Sequence, residues 1–236
     1  MSLVAAGPVI PNFGQGSACV KGDHTFCSDW VRAHWHDTLE PALVQHLELT
    51  AIAIGIGFVL AFALALVAHR LRRLEQPFGI VSALLYTIPS LALFALLVPI
   101  TGLSVLTAEI GLVSYTLLIL IRNIIRGIRG VPADVREAAV GMGYAPRELL
   151  WRIEVPLALA VIIAGVRLAT ISTIGLVTVT ALIGQGGFGF LILIGIQRFF
   201  STELIAGAVL SVALAIVADA LLVLLQRRLT PWARAA

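Results

Sequence analysis

Long apolar runs separated by basic clusters constrain the fold of this chain more than any other feature of its sequence. Five such runs cover residues 47–68, 78–100, 102–122, 155–183 and 204–225. A helix that crosses the hydrocarbon core of a bilayer needs about 20 mostly apolar residues. Because 59% of the residues are hydrophobic and only 12% are charged, an ordinary water-soluble domain and a disordered chain are excluded. The sequence therefore predicts an all-α integral membrane protein with five transmembrane helices.

Residues 184–200, between the fourth and fifth runs, contain a Gly-rich loop and a short apolar stretch, 188–196. This stretch is too short to cross a bilayer as a helix. Irregular backbone at membrane depth is tolerated only where protein or water satisfies its polar groups. We interpret residues 184–200 as a re-entrant or interfacial, gate-like element. A sixth span through residues 188–200 is the alternative.

The basic residues predict the orientation of the chain in the membrane. Twelve of the 16 Lys and Arg residues fall in the segments 69–77 and 122–154 and at the C-terminal end, which five spans place on the same side. Cytoplasmic loops of membrane proteins carry such an excess of positive charge. We therefore expect an extracytoplasmic segment over residues 1–46, a transmembrane domain over 47–228 and a cytoplasmic tail over 229–236.

The extracytoplasmic segment contains both cysteines of the chain, Cys19 and Cys27. An oxidising compartment permits a disulfide between them, and two free thiols are the alternative. The nearby His34, His36 and Asp37 have the residue types of a metal site. Because no further ligands follow at a regular spacing, we interpret them as solvated side chains at the membrane interface and predict no metal site.

The predicted cytoplasmic loop, 122–154, has the pattern of two short helices joined by a turn. Asp134 with Glu137 three residues later is typical of a helix N-terminus, with Asp134 as the expected cap. Gly143 suits the left-handed residue that ends a helix, and Pro146 suits the first position of the next helix. A loop of this length without a function is uncommon.

Six residues of this loop and of the start of the fourth apolar run stand at the spacing of a known sequence signature. The positions concerned are Glu137, Ala138, Ala139, Gly143, Ile153 and Pro156. This pattern resembles the signature of permease subunits of binding-protein-dependent ABC importers: Glu-Ala-Ala, three residues, Gly, nine residues, Ile, one residue, Leu-Pro. Only Val155 departs from it, in place of the leucine.

The resemblance implies a type I ABC importer permease in the cytoplasmic membrane of a bacterium, with the loop docked on a cytoplasmic ATPase subunit. The chain has no Gly-x-x-x-x-Gly-Lys-Ser/Thr motif, so we expect it to be a non-catalytic subunit without a cofactor of its own. ATP and Mg²⁺ would be bound by the partner ATPase dimer. The implied partners also include a second permease, identical or related, and an extracytoplasmic substrate-binding protein.

Two further segments, 86–94 and 181–189, are similar to the osmoprotectant branch of this family, which imports glycine betaine, choline, carnitine or proline betaine. Gln185 and Phe188 depart from that branch, where smaller or aliphatic residues are common. An importer of an amino acid such as methionine, or of another small solute, is the alternative. An intramembrane enzyme is disfavoured because the spans contain no His-Glu-x-x-His and no paired catalytic carboxylates. A purely structural membrane protein would not need the signature.

The candidates for the translocation path are aromatic, hydroxyl, proline and glycine residues at expected helix breaks or within the polar fourth span. They are Tyr86, Thr87, Pro89, Ser90, Tyr115, Thr173, Gly184, Gly186, Gly187 and Gly189. Aromatic faces and carbonyl oxygens suit a quaternary ammonium group. Arg167 and Asp219 also lie within apolar runs, where they could pair, extend to the interface or cap a neighbouring helix.

Overall fold

The computed structural model describes residues 25–234, and every regular element among these residues is a helix. In chain order they are α1 (Ser28–Ala33), a π-helical turn (Trp35–Leu39), α2 (Glu40–Arg70), a 3₁₀ turn (Arg72–Leu74), α3 (Glu75–Thr87), α4 (Ser90–Thr101), α5 (Val105–Arg129), α6 (Ala133–Gly141), α7 (Pro146–Leu149), a second π-helical turn (Leu150–Glu154), α8 (Val155–Val179), a 3₁₀ turn (Thr180–Ile183), α9 (Phe188–Gln197), α10 (Ser201–Leu229) and a final 3₁₀ turn (Pro231–Arg234).

Four continuous helical segments of the described chain are long and apolar enough to cross a membrane: Trp35–Arg70, Val105–Arg129, Pro146–Ile183 and Ser201–Leu229. Each extends beyond its predicted apolar run because a helix continues through polar residues until a backbone break stops it. Helices α3 and α4 pass the same test only as a pair. The prediction of an all-α membrane protein is confirmed, and the number of spans is five when α3 and α4 are counted as one broken span.

The break between α3 and α4 lies at Ile88 and Pro89, and the two helix axes differ by 94°. Proline disfavours helical backbone in the residue before it and lacks the N–H of a helical hydrogen bond. Ile88 is accordingly extended, with φ −65° and ψ 127°. The predicted run 78–100 is thus two helices, and the break expected at Pro89 is confirmed.

Helix α5 lies at the centre of the fold and packs against α2, α3, α4 and α8. Its buried Leu120 and Ile124 contact a stripe of alanines on α2, namely Ala61, Ala65 and Ala68. Small residues repeated every turn let two membrane helices approach closely. This packing fixes the cytoplasmic ends of α2 and α5 beside each other.

The segment 184–200 folds back on the helix bundle. After the Gly-rich loop, α9 contains 10 residues and packs against α10. Ten residues cover about 15 Å at 1.5 Å per residue, which is half of a hydrocarbon core. The alternative of a sixth span through this helix is therefore wrong, and the interpretation of a re-entrant or interfacial, gate-like element stays a prediction.

Candidate coupling and translocation sites

Helix α6 carries the first half of the signature and lies outside the bundle of long helices. Proline fixes the entry: Pro132 is the N-cap residue, with φ −56° and ψ 144°, and no side chain caps the helix. The expected cap at Asp134 is wrong, because the helix already begins at Ala133 and places Asp134 in its first turn. There its carboxylate faces the positive end of the helix dipole.

A left-handed glycine ends α6, as the sequence predicts. Gly143 has φ +89°, and the N–H of Tyr144 donates to the carbonyl of Ala139 at 3.2 Å. Pro146 then begins α7, also as predicted. This turn separates the two halves of the signature, because Ile153 and Pro156 lie beyond α7, at the junction with α8.

The two faces of α6 differ in exposure. Ala139 is buried against the rest of the protein, whereas Glu137 and Ala138 are exposed. Two large apolar side chains at the end of this helix are also exposed: Val140 by 59% and Met142 by 70%. Apolar side chains on a predicted cytoplasmic loop cannot face lipid, and such a patch is typical of a protein interface.

A buried carboxylate that the sequence analysis did not single out connects α6 to the bundle. Glu154, at the end of the second π-helical turn, has one carboxylate oxygen 2.9 Å from Nε of Arg136 and the other 3.2 Å from Nε2 of His69. Arg136 is on α6, and its guanidinium also donates to the carbonyl of Ile128 at 2.6 Å. The cluster of Glu154, Arg136 and His69 therefore joins four helices.

At the break between α3 and α4, the predicted path residues come together. The hydroxyl of Tyr115 donates to the carbonyl of Ile88, which the broken helix leaves without its usual partner. The rings of Tyr86 and Tyr115 meet edge to face with centroids 5.6 Å apart. Pro89 lies in the connection, and Thr87 and Ser90 are the helix ends on either side of it.

A cavity of about 530 Å³ lies between α3 and α5. Its apolar wall includes Ile80 and Ile125, and its basic residues are Arg72, Arg122 and Arg126. Its lining ends at Ala83 on α3 and at Ile121 on α5, so neither Tyr86 nor Tyr115 lines it. The cavity therefore lies between the tyrosine pair and the predicted cytoplasmic ends of these two helices.

The Gly-rich loop is held against α2 by two polar residues that the sequence analysis missed. Gln45 accepts a hydrogen bond from the N–H of Gly187 at 2.8 Å, and its amide nitrogen donates to the side chain of Gln185 at 3.1 Å. His46 is fully buried: Nε2 lies 3.0 Å from the carbonyl of Ile174, and Nδ1 lies 3.4 Å from the N–H of Phe188. These partners fit a neutral imidazole that carries its proton on Nε2.

Glycine is required in this loop because neighbouring backbone approaches closely. A Cβ on Gly187 would lie 2.6 Å from Cβ of His46 and 2.7 Å from the carbonyl oxygen of Ala42. Gly186 and Gly189 face the backbones of Ala181 and Thr178 in the same way, whereas Gly184 has open space and a φ of +81°. Thr173 is buried on α8, next to the residue whose carbonyl contacts His46. The path candidates thus occupy two places, the helix break and the glycine loop.

Two polar groups within the spans pair with each other. Nε of Arg167 donates to Asp219 at 2.8 Å and its terminal nitrogen donates to the second carboxylate oxygen at 3.1 Å. This bidentate ion pair, one of the three predicted possibilities, connects α8 to α10. The hydroxyls of Thr170, Thr178 and Thr180 donate to carbonyls one helical turn earlier, as threonines in membrane helices commonly do.

Among residues 25–234, no group of three His, Cys, Asp or Glu side chains could hold a metal ion, His34, His36 and Asp37 included. His34 contacts the carbonyl of Trp30, and His36 pairs with Glu40 at 2.7 Å on the surface. Cys19 lies outside the described residues, so its disulfide with Cys27 stays a prediction.

Comparisons with known proteins agree with this architecture. A family model described as "binding-protein-dependent transport system inner membrane component" matches residues 53–231. The chain is 38% identical to the choline transport system permease protein OpuBB of Bacillus subtilis (strain 168), over 79% of this chain and 86% of that protein. It is 40% identical to the osmoprotectant import permease protein OsmW of Salmonella typhimurium (strain LT2), over 79% of this chain and 89% of that protein.

Among solved structures, the chain is similar to the inward-facing MetNI methionine ABC transporter. The TM-score is 0.73 at 19% identity, and the match covers 84% of this chain and 98% of that one. Identity at this level shows the fold, which is that of a type I ABC importer permease. With its family model matched over residues 53–231, the chain belongs to the inner membrane components of binding-protein-dependent transport systems.

Proposed function

We propose that this chain is the permease subunit of an ATP-driven importer for osmoprotectants with a quaternary ammonium group: glycine betaine, choline, carnitine or proline betaine. The observation that carries the proposal is the identity of 38–40% to a choline permease and an osmoprotectant permease over four fifths of the chain. The tyrosine pair beside the carbonyl of Ile88 supports it, since cations bind to aromatic faces and carbonyl dipoles.

In this proposal the exposed face of α6 docks on a cytoplasmic ATPase subunit. Glu137 supplies a charged contact. Val140 and Met142, which are exposed to water in the isolated chain, supply an apolar contact. Closure of an ATPase dimer then displaces α6 and shifts the permease between inward- and outward-open states. The permease itself is non-catalytic and has no cofactor, because ATP and Mg²⁺ are bound by the ATPase.

The complete importer contains two permease subunits, as a homodimer or with a related partner, and an extracytoplasmic binding protein that delivers the solute. The path in each permease runs past the Gly-rich loop and the tyrosine pair into the cavity between α3 and α5. At the bend the hydroxyl of Tyr115 and the carbonyl of Ile88, which are bonded to each other, are the polar groups that we expect to meet the solute.

Uptake into proteoliposomes tests the proposed substrate class. The permease, its ATPase and its binding protein are reconstituted together, and the ATP-dependent uptake of labelled glycine betaine is measured against an excess of unlabelled solutes. We expect choline, carnitine or proline betaine to compete and methionine to leave uptake unchanged. Competition by methionine, with none by the quaternary ammonium compounds, would overturn the assignment.

A further inference from the structure

We propose that the cluster of Glu154, Arg136 and His69 is the mechanical link that transmits the movement of α6 to the membrane helices. These are positioning residues: they contact neither the solute nor ATP and act through α6. The inference rests on the proposed function, since it presupposes that an ATPase drives α6. It assigns the transmission step to three particular side chains.

The first support is the way α6 is attached to the rest of the chain. At one end it follows the turn of Gly130, Val131 and Pro132, and at the other it ends at the left-handed Gly143. Val131 in the first turn is buried, and on α6 itself the buried apolar residue is Ala139. One methyl group gives little directional constraint. If a displacement of α6 is to move the long helices together, further side-chain contacts must connect α6 to them.

The second support is the position of the cluster. Glu154 directly precedes α8, His69 lies in the last turn of α2, and the carbonyl of Ile128 belongs to the last turn of α5. Arg136 contacts both Glu154 and Ile128 from α6. A displacement of α6 therefore acts at once on the cytoplasmic ends of three membrane helices. The π-helical turn at Leu150–Glu154 is consistent with this position, because such turns are frequent at functional sites.

The third support is the free-energy cost of burying the carboxylate of Glu154. The side chain of Glu154 is only 5% exposed, and a carboxylate is expensive to bury unless charged partners surround it. Well-packed apolar residues commonly give equal or greater stability at such a position. We infer that the cluster contributes something other than stability, namely close contacts of one carboxylate with side chains of α6 and α2 at the start of α8.

A nearby ion pair offers a matched control. Glu148 and Arg152 are 4.0 Å apart on the same loop, with side chains 49% and 68% exposed, and connect only α7 to the adjoining π-helical turn. Exposed pairs of this kind contribute little. Glu148→Gln removes the same charge from the same loop as Glu154→Gln but leaves the link between α6 and the long helices intact.

The test compares solute uptake with ATP hydrolysis in proteoliposomes that contain the complete importer. For Glu154→Gln we expect a complex that assembles with the ATPase and hydrolyses ATP, while the solute moved per ATP falls by about tenfold, within the ~5–150-fold typical of coupling between sites. Arg136→Gln should have the same effect, and the double variant should be no worse than either single one. Arg136→Lys, which keeps the charge, should recover part of the lost coupling.

A normal ratio of uptake to hydrolysis in Glu154→Gln, or an equal loss in Glu148→Gln, would overturn the inference. If Glu154→Gln is not recovered from membranes, His69→Gln provides the test instead. His69 is partly exposed, so its replacement should destabilise the protein less than that of the buried Glu154. An unchanged ratio of uptake to hydrolysis in His69→Gln would also overturn the inference. Failure of the proposed function would look different, since the wild-type importer would then take up no quaternary ammonium solute with ATP.

Discussion

Replacing Gly187 by alanine should destabilise the contact between the Gly-rich loop and α2. Gly187 has φ +49° and ψ −120°, a backbone conformation that residues with a Cβ adopt at a cost of about 1–3 kcal/mol. The added methyl would also lie within 2.6–2.9 Å of three atoms of Ala42 and His46, of which two belong to the backbone. Such overpacking costs about 1–3 kcal/mol more. The combined loss is about 2–6 kcal/mol.

Thermal unfolding of the purified protein in detergent measures this loss through tryptophan fluorescence. For a chain of this length, about 2–4 °C of Tm accompanies each kcal/mol, so Gly187→Ala should lower the apparent Tm by roughly 4–24 °C. Gly184→Ala, where φ is +81° but no atom lies within 4 Å, carries only the backbone strain of about 1–2 kcal/mol. Gly175→Ala, with open space near the C-terminal end of α8, serves as the neutral control. Equal Tm values for the 187 and 175 variants would refute the reasoning.

Three further predictions concern the other contacts. Gln45→Leu leaves the N–H of Gly187 without its acceptor and should cost about 1–3 kcal/mol in thermal unfolding, with faster amide exchange over residues 185–188 as the specific sign. Tyr115→Phe removes the hydroxyl that satisfies the carbonyl of Ile88 and should lower uptake at subsaturating solute by up to about tenfold, whereas Tyr144→Phe in the cytoplasmic loop should not. Gly143→Ala strains the turn after α6 by about 1–2 kcal/mol and should weaken binding of the ATPase in a pull-down assay. The control is Gly141→Ala, which lies within the helix, faces open space and should leave binding unchanged. Equal binding by the two variants would contradict the role of this turn.

Features that depend on one stretch of backbone could be predicted from the sequence. The apolar runs give the spans, Pro89 gives the break between α3 and α4, and Gly143 and Pro146 give the turn after α6. In each case the residue's own backbone preference decides the conformation, so neighbours elsewhere in the chain do not alter the result. Asp134 is the local prediction that failed, because the fixed φ of Pro132 starts the helix at Ala133, two residues earlier than a cap at Asp134 would.

Features that depend on side chains far apart in the sequence could not be predicted. Gln45 and Gly187 are 142 residues apart, and the pairing of Glu154 with His69 depends on how α2 and α8 pack. A polar residue at the edge of an apolar run, such as His46, is a signal that some partner exists, since burial without one is costly. The identity of that partner follows only from the tertiary structure.

Coupling of ATP hydrolysis to solute import by α6 is the central element of the proposed function. ATP-dependent accumulation of labelled glycine betaine in proteoliposomes, compared between wild type, Glu137→Ala and Asp134→Ala, tests it most directly. Glu137 lies on the exposed face proposed to meet the ATPase, and Asp134 is an equally exposed acid in the first turn of the same helix. The account predicts accumulation that requires ATP, is largely lost in Glu137→Ala and is retained in Asp134→Ala. Accumulation by Glu137→Ala at the wild-type rate, or uptake that proceeds without ATP, would contradict it.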